Sequence, residues 1–508
     1  MIQGLKFRVN SKLLSDLVWW IIIIIGILLR LRQYLADRSL WSDEAALALN
    51  IVGRSFTGLI QPLDFEQGAP LGFLFIEKTI LLILGNKDYI LRLFPLLSGL
   101  LSIYFLYCIC REYYGMSGLF ALSFFAISWT LIYYSNELKQ YSSDVLISTG
   151  LVYLAFRALR KDTGRKEILI LGAAGAVTVW ISHPAIFILA SIGLVLAIEN
   201  LSRKALSKLI WILGIGVVWV VDLGLAYLVS LRNLMDNSYL SNFWRPFFMP
   251  LPPWSHWDWF GGTYVQLLDI ANHVGSVPSR PFILMSSLLL VIGVGWFFIF
   301  DRSIALMMAF PFVFVLLAAA LQKYPFGERF ILFLLPFLFL FMAKGLEQIY
   351  FVVARWNRTA SLVVCGVAVL VTLWPSASTS FRFFLSPYMR EHIRPALVYM
   401  SQNTQFGDVI YVYYESQLAF EYYAPSLNFK DDKIIYGAAG SADSPVDIGN
   451  VNQLRGNRRV WLVFSSYCSQ CETARAPGQY LQRLNKIGKE IDYSRFPGAS
   501  LFLYDFSQ

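Results

Sequence analysis

The chain contains eleven apolar runs of a length close to that of a membrane-spanning helix, and this repetition limits the folds open to it. A spanning helix needs about 20 mostly apolar residues. Only 15% of the 508 residues are charged, against about a quarter in soluble proteins. We therefore predict a polytopic α-helical membrane protein with about 11 transmembrane helices. The predicted spans are Leu17–Leu31, Ile90–Cys110, Met116–Tyr134, Val145–Leu159, Ile168–Ile181, Pro184–Ile198, Leu209–Leu231, Ile283–Phe300, Ile304–Leu321, Phe330–Leu346 and Thr359–Ser376.

Basic residues in short loops indicate the orientation of these spans. They follow the fourth, sixth, eighth and tenth spans, for example at Arg160, at Arg203 and Lys204, at Arg302 and at Arg355. With eleven spans, these loops share one side, which the positive-inside rule makes cytoplasmic. We expect a multi-pass protein of the plasma (inner) membrane with a cytoplasmic N-terminus and an outer C-terminal region. The net charge of +9 is then a topology signal, and no nucleic-acid partner is expected.

Residues 1–376 form the predicted transmembrane domain, with long outer loops at about 32–89 and 232–281. Residues 377–508 are long enough to form a small outer domain. Asp408–Tyr413, Arg459–Phe464 and Ser500–Tyr504 are rich in Val, Ile, Tyr and Phe, which predicts strands. His392–Ser401 and Gln479–Ile487 are predicted helices. The alternation indicates an α/β domain.

An acidic pair, Asp43 and Glu44, follows the first span on the outer side, within Trp41-Ser42-Asp43-Glu44. Such a pair can supply a general base together with a metal ligand or hydrogen-bond partner. The alternative is an ordinary helix start, because Ser42 or Asp43 can cap a helix through Ala45–Ile51. The pair alone does not distinguish the two.

Eight further residues fall on the same outer face in the predicted topology. Polar residues at this depth usually face a bundle interior or a cavity, so we expect them to surround one site. Lys139 and Arg329 could instead be cations that extend to the interface, and His183 could cap a tight turn. The eight are Glu66, Gln67, Glu137, Lys139, Tyr141, His183, Tyr324 and Arg329.

This set of residues fits glycosyl transfer from a sugar phosphate. A carboxylate can activate an acceptor hydroxyl, and a guanidinium can bind a lipid phosphate with two parallel hydrogen bonds. A phosphate leaving group is already a stable anion, so one base plus cationic stabilisation can suffice. The alternative is a polytopic lipid or sugar transporter or flippase. The inverted repeats and broken helices common in transporters are not evident in the sequence.

The chain resembles the GT-C superfamily of membrane glycosyltransferases, and within it family 39, which includes protein O-mannosyltransferases and lipid A aminoarabinose transferases. The resemblance rests on Trp41-Ser42-Asp43-Glu44, Gln67-Gly68-Ala69-Pro70-Leu71, the Glu137–Tyr141 segment, His183-Pro184 and Arg329-Phe330. It implies that Asp43, with Glu44, is catalytic and that Lys139 and Arg329, with Tyr141 and Tyr324, bind the donor phosphate or lipid.

The implied donor is a polyprenyl-phosphate sugar, and the acceptor is a protein, a lipid or a glycan. Two departures blur the subfamily and hence the sugar. Ala69-Pro70 stands where many members have two prolines, and Lys139-Gln140-Tyr141 stands where many have Arg-x-Tyr. Lysine keeps the charge but cannot make the bidentate contact.

Two further sites are expected on the outer side. Some family members bind a divalent metal ion near the acidic loop, for which Glu44, Glu66, His256 and His273 are the candidate ligands here, without a tight ligand spacing. Cys468 and Cys471 form a Cys-x-x-Cys pair, and an exported domain lies in an oxidising compartment. We predict a local disulfide between them.

Overall fold

A computed structural model describes residues 11–160, 164–235, 237–271, 278–427, 429, 433–441, 444–446, 453–465, 481–482 and 484–507. Most of these residues are helical. The helices are α1 Ser11–Tyr34, α2 Ser42–Gly53, α3 Leu71–Leu84, α4 Leu93–Ile109, α5 Gly118–Ile127, α6 Trp129–Tyr134, α7 Tyr141–Ala158, α8 Arg165–Ile181, α9 Ala185–Ser202, α10 Leu206–Ala226, α11 Arg232–Met235, α12 Ser238–Phe243, α13 Trp257–Asp269, α14 Arg280–Phe300, α15 Arg302–Ala320, α16 Leu335–Ala354, α17 Arg358–Leu385, α18 Ile393–Asn403 and α19 Gln417–Leu427. A 3-10 helix at Glu328–Leu334 leads into α16.

All eleven predicted spans are helical, and the polytopic helical fold is confirmed. In the described part of the chain, eight helical stretches are long and apolar enough to cross a membrane. Two predicted spans, in α7 and α8, do not reach that length and apolarity, and α4 and α5 count as one stretch. The last helix, α17, extends past its predicted end to Leu385.

The centre of the bundle is α16, which packs against α14 through two glycines. A Cβ atom on Gly293 would lie 1.8 Å from the Phe341 carbonyl oxygen, and one on Gly345 would lie 1.9 Å from the Leu289 carbonyl oxygen. Only glycine allows the two backbones to approach this closely, as small residues do at membrane helix contacts. This contact holds α16, and hence the 3-10 helix before it, in a fixed position.

The C-terminal domain, called the outer domain after its predicted side of the membrane, is built on a five-stranded sheet, and the two long loops keep the name outer loops for the same reason. Its strands are β1 Val409–Val412, β2 Ile434–Tyr436, β5 Val460–Phe464, β6 Lys489–Phe496 and β7 Ala499–Asp505, and β3 Ala439–Ser441 and β4 Ser444–Val446 form a separate hairpin. The order across the large sheet is β2-β1-β5-β7-β6, with β1 parallel to β2 and β5 and with β7 antiparallel to β5 and β6. The predicted strands are β1, β5 and β7, so the α/β domain is confirmed.

The outer domain and the first outer loop share one hydrophobic core. Side chains of α2 and α3 pack in a single buried cluster with side chains of α18, α19 and one face of the sheet. Ala45 and Leu47 of α2 lie in this cluster with Leu397 and Phe420 of the outer domain, all fully buried. The position of α2 therefore depends on the outer domain as well as on the bundle.

Candidate functional site

The acidic pair lies at the start of α2. This helix begins at Ser42, so Asp43 and Glu44 are in its first turn, where the partial positive charge of the helix N-terminus favours carboxylates. The predicted helix over Ala45–Ile51 is confirmed. Its apolar face is fixed in the core shared with the outer domain, while the Asp43 side chain stays 19% exposed.

The Asp43 carboxylate contacts residues from three other parts of the chain. Its Oδ1 lies 2.9 Å from the Lys139 Nζ, and its Oδ2 lies 2.9 Å from Nη1 of Arg329. The Gln67 side-chain amide donates to Oδ1 at 3.2 Å. Burial alone would raise the pKa of Asp43, but Lys139 and Arg329 outweigh it and hold the pKa below its usual range. Asp43 is therefore a carboxylate at neutral pH.

Lys139 and Gln67, which both contact Asp43, also contact each other. Lys139 is 4% exposed, and its Nζ also donates to the Gln67 Oε1 at 2.7 Å. Burial lowers the pKa of Lys139, and the Asp43 carboxylate offsets part of this effect. Gln67 thus bridges Asp43 and Lys139, with its amide donating to one and its carbonyl accepting from the other.

Arg329, in the 3-10 helix before α16, lies between two aromatic rings. Its guanidinium carbon is 5.4 Å from the ring centre of Tyr141 and 5.2 Å from that of Trp244. Trp244 comes from the second long outer loop, and the Phe326 amide donates to the Phe247 carbonyl of that loop at 2.8 Å. Trp244 could not be predicted from the sequence, because the chain has 15 tryptophans and no local pattern shows which one faces the site.

Glu44 and Glu137 lie in a buried ionic network and do not reach the open side of the site. Glu44 accepts from Arg92 Nε at 2.8 Å and from Arg38 Nη1 at 3.3 Å, and the backbone amide of Leu138 donates to it at 2.8 Å. Arg38 also pairs with Glu137. Both glutamates are 0% exposed. The role of Arg38 and Arg92 could not be predicted, because the sequence does not show which cations near apolar runs are buried inside the protein.

Trp41 connects this network to the outer domain. Its indole nitrogen donates to the Glu137 Oε2 at 2.6 Å, and the Arg390 guanidinium stacks on its ring at 3.6 Å. The next residue of the outer domain, Glu391, accepts a hydrogen bond from the Ser42 amide at 3.0 Å. These contacts fix Trp41 and Ser42, the two residues that precede Asp43.

The remaining predicted residues lie around this group. Glu66 is exposed and accepts from the side chain of Asn237, so it does not join the Asp43 contacts. The Tyr324 hydroxyl donates to the Phe330 carbonyl at 2.9 Å. His183 lines a small cavity beside Pro70 and Trp180. Burial lowers the pKa of His183 to about 4, so its imidazole is neutral at pH 7.

Comparisons with known proteins bear on this arrangement. Residues 68–224 match the protein family described as dolichyl-phosphate-mannose-protein mannosyltransferase. No curated protein matches the sequence. The structure is similar to that of apo ArnT from Cupriavidus metallidurans, with a TM-score of 0.53 and 14% identity over 98% of this chain and 99% of that chain. The chain has a GT-C fold.

Two other GT-C structures superpose less closely. ArnT from Cupriavidus metallidurans bound to undecaprenyl phosphate gives a TM-score of 0.48 at 14% identity, over 98% of both chains. The oligosaccharyltransferase of Archaeoglobus fulgidus in complex with Zn and sulfate gives 0.48 at 12% identity, over 87% of this chain and 67% of that chain. The family match and the GT-C fold confirm the resemblance to family 39 that the motifs indicate.

The predicted metal ligands do not come together within the described part of the chain. The Glu44 carboxylate is ion-paired with Arg38 and Arg92, and His256 is exposed directly before α13. His273 lies outside the described residues. Within the described ranges, no three His, Cys, Asp or Glu side chains form a group that could hold a metal ion. The metal site expected from the sequence therefore stays a prediction.

Cys468 and Cys471 also lie outside the described residues, so their disulfide stays a prediction. Cys108, Cys110 and Cys365 are free thiols in the helical bundle.

Proposed function

We propose that this chain transfers a sugar from a polyprenyl-phosphate donor to an acceptor hydroxyl on the extracytoplasmic face, with inversion at the anomeric carbon. One observation carries the proposal: the Asp43 carboxylate is held between Lys139 and Arg329 at 2.9 Å from each. The GT-C fold and the family match over residues 68–224 support a glycosyltransferase. The ArnT protein, whose fold the chain shares, has been solved with undecaprenyl phosphate.

In the proposed reaction, Asp43 accepts the proton of the acceptor hydroxyl as its oxygen attacks the anomeric carbon. The bond between that carbon and the phosphate oxygen breaks, and polyprenyl phosphate leaves as an anion. Because attack and departure occur on opposite faces in one displacement, the anomeric configuration inverts. No general acid is needed, since phosphate does not require protonation to leave.

In this scheme, Lys139 and Arg329 pair with Asp43 before the donor binds and with the donor phosphate afterwards. Arg329 and Lys139 lower the pKa of Asp43, which makes it a weak base in the state described here. A donor phosphate beside Arg329 would compete for the same guanidinium and ammonium groups. As their hold on Asp43 weakens, its pKa rises toward the normal range and the carboxylate becomes a better base. Donor binding would thereby activate the base.

Glu44 and Glu137 have a positioning role in this scheme. Their carboxylates are fully buried and bound by Arg38 and Arg92, so they contact neither donor nor acceptor. They fix the first turn of α2 and, through the Leu138 amide, the loop that carries Lys139. We therefore propose Asp43 as the single catalytic carboxylate of the pair.

The test is transfer of radiolabelled sugar from polyprenyl-phosphate donors by the purified protein. Asp43→Asn should lower turnover by about a hundredfold or more, because the amide cannot accept the proton. Arg329→Ala should instead raise the donor KM, because it removes phosphate contacts. Asp64→Asn is the matched control, since Asp64 is an exposed aspartate of the same outer loop, paired with Arg54. It should leave turnover unchanged.

Thermal stability must be measured alongside, because Asp43 is not the freely exposed cap residue that its sequence position indicated. Asp43→Asn leaves two neighbouring cations without their carboxylate, so some loss of stability is expected with the loss of turnover. Normal turnover in the folded Asp43→Asn protein would contradict the mechanism. Movement of the lipid-linked sugar across a membrane without any transfer product would favour the flippase alternative.

A further inference from the structure

A fully buried arginine in the first span has no carboxylate partner. Arg30 lies in the last third of α1, within the apolar stretch Asp16–Tyr34, and it is 0% exposed. Among the described residues, no Asp or Glu oxygen lies within 4.0 Å of its guanidinium. The buried Arg38 and Arg92, in contrast, both bind Glu44. Charged groups at membrane depth are usually paired or mark a functional site, so the charge of Arg30 needs an explanation.

Backbone carbonyls satisfy only part of the Arg30 guanidinium. Its Nη1 donates to the carbonyls of Gly26 and Ala126 at 3.0 and 3.2 Å. Its Nη2 lies 3.5 Å from the Phe125 carbonyl, at the limit of a hydrogen bond, and its buried Nε has no partner. The N–H groups of Nε and Nη2 lie along one edge of the planar guanidinium, and such an edge can bind an anion with two parallel hydrogen bonds. This Nε edge of Arg30 therefore keeps unused donor capacity.

The same arginine lines an internal cavity of the bundle. The walls of the cavity come from α1, α4, α5, α6, α7 and the 3-10 helix before α16. Nine of its ten lining residues are buried and only Tyr134 is half-buried, so the cavity is enclosed. Gly99 is one of the ten, and a Cβ atom on it would lie 3.4 Å from the Arg30 Nε. The unpaired Nε is therefore at the wall of this cavity, and no acidic side chain of the described residues lines it.

The size and charge of the cavity limit what it can hold. It has room for about one group the size of a water molecule, so phosphate, sulfate and other polyatomic anions do not fit. The Arg30 charge excludes a cation. A water molecule can accept from Nε, but it leaves a charge uncompensated in an interior of low dielectric constant, which is costly. A monatomic halide is similar in size to a water molecule, and it accepts the hydrogen bond and neutralises the charge at once.

We propose that this cavity binds a single chloride ion at the Nε edge of Arg30. Tyr134 and Tyr141, whose hydroxyl groups can donate hydrogen bonds, also line the cavity, and their ring centres are 5.3 Å apart. Tyr141 also packs against the Arg329 guanidinium, so one ring contacts both the chloride cavity and the Asp43 site. The chloride is distinct from the donor phosphate, which we propose to bind at Arg329 itself. It stabilises the contact between α1 and the helices that carry these tyrosines.

The test measures chloride binding by the purified protein in detergent. Equilibrium dialysis with radiolabelled chloride should give one bound ion per chain, and Arg30→Gln should abolish it, because the amide can still donate to the backbone carbonyls but carries no charge. Arg111→Gln is the matched control, since Arg111 is an exposed arginine paired with Asp16, and it should keep the bound ion. Replacing gluconate by chloride at ten times its Kd should raise the Tm by about 2 °C in the wild-type protein and the control, and leave the Tm of Arg30→Gln unchanged.

A crystal of the wild-type protein grown in bromide gives an answer that does not depend on the folding of Arg30→Gln. An anomalous bromide peak beside the Arg30 Nε is the expected result. An ordered water at that position without an anomalous peak would overturn the proposal, because the cavity would then hold water only. Equal chloride binding by the wild-type protein and Arg30→Gln would also overturn it and assign the ion to the surface. None of these measurements uses a sugar donor, so their outcome is separate from that of the proposed function.

Discussion

At the scale of single residues, two adjacent carboxylates of the chain have different environments. Asp43 is partly exposed and faces Lys139 and Arg329, whereas Glu44 is fully buried against Arg38 and Arg92. Burial of an ion pair is costly unless its geometry and hydrogen bonds are complete. Glu44 meets this condition, because two guanidinium groups and the Leu138 amide bind its oxygens. We therefore expect loss of the Glu44 carboxylate to destabilise the fold, and to affect turnover only through that loss of stability.

The corresponding prediction concerns Glu44→Gln. The change leaves the buried Arg92 guanidinium without its carboxylate and leaves Arg38 with Glu137 alone, which should lower the free energy of unfolding by about 3–5 kcal/mol. Glu199→Gln is the control, because Glu199 pairs with Arg203 at a partly exposed i,i+4 position, where a pair contributes about 1 kcal/mol or less. Denaturant unfolding of both variants in detergent measures the difference. Equal effects of the two changes would show that the buried network does not stabilise the fold.

At the scale of elements, the sequence predicted helices well and their arrangement only in part. Apolar length located every helix of 17 or more residues, because a bilayer requires continuous apolar runs, but not the 14-residue α3. It did not predict α12 and α13, which lie in a loop read only as rich in Trp, Pro and Asn. It also missed β6, whose side chains are mostly exposed and include charged residues, so the usual alternation is absent. Hydropathy patterns in the sequence reveal elements that bury an apolar face, and α12, α13 and β6 bury few side chains.

The candidate site shows the same division. Asp43, Lys139 and Arg329 were placed together because the motifs and the predicted topology put them on one face. Their partners could not be predicted in this way. Trp244 and Glu391 reach the site from a long outer loop and from the outer domain, through contacts that no spacing in the sequence encodes.

One prediction at this scale concerns the outer-domain residue that holds α2. Glu391 accepts from the Ser42 amide, and it faces Arg390 of its own segment, Glu415 and Glu137. Burial raises the pKa of Glu391 from 4.5 to about 7, against the opposing effects of the Ser42 amide and Arg390. A carboxyl whose pKa is higher in the folded state stabilises the protein at low pH, and this contribution is lost as pH rises toward 7.

Between pH 4.5 and 7, Glu391 should therefore cost stability on the order of 2–3 kcal/mol as it ionises. Glu391→Gln keeps a hydrogen-bond acceptor for the Ser42 amide but cannot ionise, so its stability should vary less over this range. Unfolding measured across that interval for both proteins gives the comparison. Parallel curves would mean that Glu391 keeps an ordinary pKa in the folded protein.

At the scale of the whole molecule, the outer domain and α2, which carries Asp43, must lie on the same side of the membrane. They share one hydrophobic core, in which α2 and α3 pack with α18 and α19. The location of the C-terminus therefore also locates Asp43. The GT-C fold does not by itself give this orientation, and eight long apolar stretches allow a different parity from eleven spans. The basic loops remain the evidence for a cytoplasmic N-terminus.

The last prediction follows from this coupling. A reporter enzyme that is active only outside the cytoplasm, fused after Gln508, should be active. The same reporter fused after Arg203, in the basic turn between α9 and α10, should be inactive, because positive loops stay inside. An active Arg203 fusion with an inactive Gln508 fusion would reverse the whole protein and place Asp43 in the cytoplasm. Activity of both would mean an even number of spans between the two points, which contradicts the five predicted there and keeps the catalytic face outside.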